Sequence, residues 1–163
     1  YLEPKEPPRT IFLYNNMMYA GAGHMIELLS GKTWEEFVAI KLLADLAEIL
    51  QVEDLLHCTF HPLRNLARAT MPEERFHAQF GEDFSAELIK TPKGKETLQA
   101  AVNEYWPYLP KFFGGSKSRN NEVFRKWKIK QRTNDEMRED YVRRATEVAA
   151  KYGLTLPVAA AAA

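Results

Sequence analysis

The chain has little that would advertise chemistry. It carries one cysteine, Cys58, no surplus of either charge, and no apolar run near the ~18 residues a membrane-spanning helix needs. Each lack excludes something. A single thiol cannot form an internal disulfide and suits a reducing cytosol, which makes the cytoplasm the expected location. Twenty-two basic residues balance 22 acidic ones, so the net charge points to neither nucleic acid nor an anionic membrane. No basic stretch followed by an apolar one marks a signal peptide. There is no Gly-rich phosphate loop, no Ser-His-Asp arrangement and no repeat at a solenoid period. No segment alternates with period two over a convincing length, which leaves an all-α reading.

What is present is helical periodicity, in a chain long enough for one domain with a real core. Residues 1–31 read as an arm followed by an irregular helical segment. Three prolines (Pro4, Pro7, Pro8) extend the arm, and Gly21 and Gly23 weaken the apolar, Met-rich stretch after it. Residues 32–157 read as the helical domain. The ends look incomplete: the chain opens at Tyr1 rather than methionine, and residues 158–163 finish in an alanine tail that carries no functional signal.

Thr33 and Glu36 form a capping-box pattern that opens a helix from about Trp34 to His57. At 100° per residue, Trp34, Val38, Leu42, Ile49, Val52 and Leu56 fall within about 60° of Asp45, so Asp45 lies inside the apolar stripe. Lys41 and Glu48 sit on an edge of that stripe, placed to pair with each other. Pro62 suits the first turn of a second helix running towards Phe84 and Leu88. Pro72 predicts a kink or a restart, capped by Thr70 and Glu73. On that helix Glu74 and His77 share a face with Leu63, Leu66, Thr70, Gly81, Phe84 and Leu88. Three more helices are expected: about Pro92–Trp106, about Glu122–Gln131, and about Asn134–Tyr152, the last with Thr133 and Glu136 as its capping box and Gly153 as its stop.

Asp45, Glu74 and His77 are therefore the candidate metal ligands. Glu-x-x-His alone is weak, since such pairs are usually surface pairs. Here it gains weight from facing a core stripe, where an ionised carboxylate costs several kcal/mol unless it is paired or binds a cation. Two carboxylates and an imidazole suit iron better than zinc, which favours thiolates or several histidines. A buried hydrogen-bond network of Asp45 and His77 with a Tyr or Arg accounts for the pattern equally well, and spacing alone does not separate the two. His57, Cys58 and His61 make a zinc-like cluster that lacks a fourth ligand. Asp54 with His57 lies about 2.5 turns from Asp45, on the opposite face, and is expected in solvent. His24 with Glu27 is a remote ligand pair. Arg125, Lys126, Lys128, Lys130 and Arg132 read first as a solvated helix face, or else as a contact for an anionic substrate handle or an acidic partner. Tyr105, Trp106, Tyr108, Phe112, Phe113 and Trp127 read as core or interface aromatics.

Several stretches resemble the ferritin-like subunits of the ring-1,2-phenylacetyl-CoA epoxidase family of phenylacetic acid breakdown. They are Lys32-Thr33-Trp34, Glu73-Glu74-Arg75-Phe76-His77, Trp106-Pro107, Phe113-Gly114, Trp127-Lys128-Ile129-Lys130, Thr133-Asn134-Asp135-Glu136 with Arg138, and Gly153-Leu154-Thr155-Leu156-Pro157. The resemblance implies the second half of a ferritin-like bundle with extra C-terminal helices. It also implies a di-iron centre that activates O₂ and inserts oxygen into the ring of an aromatic acyl-CoA thioester, with Asp45, Glu74 and His77 as ligands from the third and fourth bundle helices. Electrons would come from a separate NAD(P)H-dependent flavin/iron–sulfur reductase. The implied partners are a companion ferritin-like subunit that lacks the metal site, or a second copy of this chain. Two departures stand out: residues 1–30 have no room for the family's first two helices, and Pro72 precedes the ligand pair. Three accounts are open. The chain is part of a longer protein, two copies pair to assemble the site, or the site is vestigial and the chain serves only in assembly.

Overall fold

A computed structural model describes Met25 and residues 27–157. The chain divides into two compact units, 1–34 and 35–163. In the first, residues 27–30 are helical, and Gly31, at φ +69°, donates its N–H to the Glu27 carbonyl at 2.9 Å. The expected His24–Glu27 pair and the glycines at 21 and 23 fall at or beyond the edge of the described residues.

The second unit is all-helical among the described residues, as the periodicity requires. Its elements are α1 (Trp34–Leu55), α2 (His61–Leu88), α3 (Pro92–Tyr105), a 3-10 helix (Trp106–Phe113), α4 (Arg119–Lys126) and α5 (Asn134–Lys151). The architecture is that of a ferritin-like helical bundle with helices added at its C-terminal end. Among the described residues no helix is long and apolar enough to cross a membrane.

Helix α1 is central, and it buries two faces rather than one. Val38, Leu42 and Asp45 are buried on one side; Ala39, Leu43, Ala47, Leu50 and Asp54 are buried on the other. A helix apolar nearly all round belongs in the middle of a bundle. The second face is covered by α5 and the 3-10 helix. Tyr141 of α5 stacks on Trp106 with ring centroids 5.7 Å apart, meets Phe113 at 5.3 Å, and donates its hydroxyl to the Leu43 carbonyl at 3.1 Å. The tail closes over this core: Trp106 Nε1 donates to the Pro157 carbonyl at 2.9 Å, and Gln99 exchanges two 2.8 Å hydrogen bonds with the Thr155 backbone.

That second buried face corrects the expectation for Asp54. It does lie opposite Asp45, but protein rather than solvent covers it. Asp54 is 2% exposed. It accepts from the N–H groups of Gln131 (2.9 Å) and Arg132 (3.2 Å) and from Arg132 Nε (3.2 Å). Arg132 also donates to Asp140 and to the Leu50 carbonyl. A buried carboxylate with three donors is a satisfied one.

Two helix boundaries also differ from expectation. Helix α2 runs through Pro72 without a restart, and Thr70 donates its hydroxyl back to the Leu66 carbonyl at 3.2 Å instead of capping. Pro72 and Arg68, whose carbonyl loses its donor, are both exposed, so water can satisfy that carbonyl and the helix survives. Helix α4 ends at Lys126, short of Gln131, because Lys128 turns to φ +52°. Its carbonyl is held there by the Thr59 N–H (3.0 Å) and Gln131 Nε2 (3.2 Å). The basic run is thus split: Arg125, Lys126 and Lys128 face outward and Arg132 turns in. The capping box of Thr133 and Glu136 is present as expected, and Gly153 follows α5 at φ +63°.

Candidate metal centre

A short loop after α1 returns the chain antiparallel as α2, and Gly81 sets how closely the two helices meet. A Cβ at Gly81 would lie 2.6 Å from Leu42 N and Lys41 C and 2.8 Å from Lys41 O. Backbone therefore touches backbone at Lys41/Leu42. In an antiparallel pair, one turn forward on α1 is level with one turn back on α2. That step pairs Asp45 with His77, and the next pairs Glu48 with Glu74. The electrostatics agree: His77 and Glu74 both act on the ionisation of Asp45, and the Glu48 carboxyl lies against that of Glu74. The three predicted ligands are thus brought to one helix–helix seam.

They are not equally buried. Asp45 is 3% exposed, whereas Glu74 and His77 are half-buried. His77 Nδ1 lies 3.7 Å from Glu74 Oε2, too long for a hydrogen bond. The expected Lys41–Glu48 pair gives way to a different one. The Lys41 ammonium sits 2.7 Å from Asp45 Oδ2, close enough for an ion pair but off the line of a hydrogen bond. Desolvation raises the Asp45 pKa, and Lys41 and His77 pull it back down. Glu48, at the solvent edge of the seam, is also raised, first by desolvation and then by Glu74. Sequence reasoning put Glu48 on the stripe's edge but gave it no part in the acid cluster. Its signal was the spacing of one turn from Asp45, matching the spacing of Glu74 from His77.

Two buried carboxylate oxygens, Asp45 Oδ2 and Glu74 Oε2, have no hydrogen-bond donor. Those are atoms a cation would claim, and the carboxylate–imidazole donor set suits iron. They could hold a cation from one side only: among the described residues no three His, Cys, Asp or Glu side chains surround a common point. The zinc-like cluster is not gathered, with Cys58 fully buried and His57 and His61 exposed. Of the aromatics, Trp106 and Phe113 are core, whereas Tyr108, Phe112 and Trp127 are more than half exposed. Tyr108, Leu109 and Phe112 face Ala44, Ala47 and Glu48 across an open recess of about 210 Å³.

Helical bundle and acid seam define a protein of the ferritin-like class. Comparison with known proteins narrows the class. Residues 13–163 match the family described as "Phenylacetic acid catabolic protein", and the chain belongs to that family. It is similar to one subunit of the 1,2-phenylacetyl-CoA epoxidase of Escherichia coli (strain K12), with 29% identity over 128 residues. That match covers 77% of this chain and 41% of the relative, so the chain spans about two-fifths of the relative's length.

Proposed function

We propose that this chain forms part of the oxygenase subunit of a di-iron, O₂-dependent epoxidase acting on an aromatic acyl-CoA thioester such as phenylacetyl-CoA. The observation that carries the proposal is the seam, where Asp45 and Glu74 present buried, donorless oxygens beside His77 on successive turns. Asp45, Glu74 and His77 would hold iron from one side. Carboxylates and a histidine from beyond this helix pair would hold it from the other. Iron supplies O₂ activation when bound, with electrons from a separate NAD(P)H-dependent reductase. The chain's own part is charge and shape. The two carboxylates would neutralise the metal's charge, His77 would serve as a further ligand, and the mainly apolar recess lined by Glu48 would take an aromatic ring. The name of the relative supports the reaction class and the substrate class.

Anaerobic loading of the native complex with Fe(II), followed by iron analysis and O₂-dependent turnover of phenylacetyl-CoA with reductase, tests the proposal. His77→Ala and Asp45→Ala should each lose iron and activity while the complex stays assembled. A folded complex that takes up no iron under these conditions sinks it.

One observation favours a second reading. A protein cation, Lys41, already stands beside Asp45, as expected of a chain that helps assemble the complex without binding metal. On that reading Asp45→Ala and His77→Ala leave both turnover and complex formation intact.

A further inference from the structure

We propose that Lys41 is a built-in surrogate cation: its ammonium neutralises Asp45 in the metal-free protein and swings away when a metal claims the same oxygen. The second half of this statement rests on the metal reading above; the first half does not.

Asp45 creates the demand for a cation. An anion that is 3% exposed needs a counter-charge within a few ångströms. Lys41 supplies it at 2.7 Å from Oδ2, one helical turn earlier on the same face. No donor besides the Lys41 ammonium reaches that oxygen, and the ammonium lies off the line of a hydrogen bond, so a second claimant can still approach it. The other groups at the seam are Glu48, Glu74 and His77, and the two acids also draw a cation towards this point. A metal at about 2 Å from Oδ2 would stand beside the ammonium, and two cations on one oxygen repel. The geometry lets the lysine yield. Its side chain is 20% exposed and so has a path to water, and its four-carbon stem reorients without moving the backbone. The backbone itself is fixed, because Lys41 C and O are the atoms against which Gly81 packs. The device is thus a fixed base with a movable charge.

A double-mutant cycle combined with cobalt titration tests this in the native full-length chain. Lys41→Met keeps the stem and removes the charge. Alone, it should lower the metal-free Tm by about 4–8 °C, since it leaves Asp45 uncompensated. In the Asp45→Asn background it should cost about 2 °C or less. Equal losses in the two backgrounds would overturn the counter-ion assignment. Co(II), followed by its visible absorption, should bind Lys41→Met about ten-fold or more tighter than wild type. Equal affinities would overturn the displacement. If neither chain binds Co(II) while the cycle still shows coupling, the metal reading fails and Lys41 stands as a permanent counter-ion.

Discussion

Gly81→Ala is the most direct probe of the seam, because everything at the site depends on how closely α1 and α2 approach there. The added Cβ would meet Leu42 N and Lys41 C at 2.6 Å, a separation that real Cβ atoms essentially never show. The obstacle is backbone on a buried helix, so no side chain can turn aside to relieve it. The helices must part by about 1 Å at the crossing, in an interior where such a gap already forfeits a large share of each contact. Overpacking of this kind costs about 3 kcal/mol. The better helix propensity of alanine returns about 1 kcal/mol. The net loss is about 2 kcal/mol, or a Tm lower by ~4–8 °C for a chain of this size. Thermal denaturation followed by circular dichroism measures it, with Gly115→Ala as control, since a Cβ there meets nothing within 4 Å. The same substitution should weaken Co(II) binding, because His77 lies one turn from Gly81 and separates from Asp45 with it. A Gly81→Ala protein as stable as wild type would refute the close approach, and with it the register that pairs Asp45 with His77.

Two further outcomes follow from the same structure. Asp54→Ala strands the Gln131 and Arg132 N–H groups and the Arg132 Nε–H, while Asp140 and the Leu50 carbonyl still hold the rest of the guanidinium. It should cost about 3 kcal/mol, ~6–12 °C in Tm, and leave metal affinity unchanged because it acts on the opposite face of α1; a loss of stability below about 1 kcal/mol would show the network to be dispensable. Glu48 has a raised pKa through desolvation and then Glu74. The folded protein therefore binds its proton more tightly than the unfolded chain does. That contribution to stability is present at acid pH and is lost as the pH rises through the raised value. Glu48→Gln should accordingly be more stable than wild type near neutral pH, by ~1–2 °C at a solvent-edge site. The gap should close below about pH 4. A constant gap from pH 4 to 8 would rule out this origin.

The helices were legible because local rules wrote them. The Thr133–Glu136 box opens α5 where expected, Pro92 starts α3, and the stripe of α1 carries Asp45 inward. The pattern of Glu74 and His77 one turn apart was equally local. What surrounds each helix was not local. Asp54 has the same spacing whether its face meets water or protein, and only the packing of α5 and the 3-10 helix decides that it is buried against Arg132. Lys41 was within reach of both Glu48 and Asp45. Burial made Asp45 the stronger claimant, and burial is a property of the assembled bundle. Helix α4 stops early because Thr59 and Gln131 capture the Lys128 carbonyl, and Thr59 is distant in the chain. By itself, then, the sequence determined the helices and which residue types face inward, since both depend on near neighbours. The seam's register, its surrogate cation and the buried second face came only with tertiary structure, because they depend on which distant atoms the fold brings within reach.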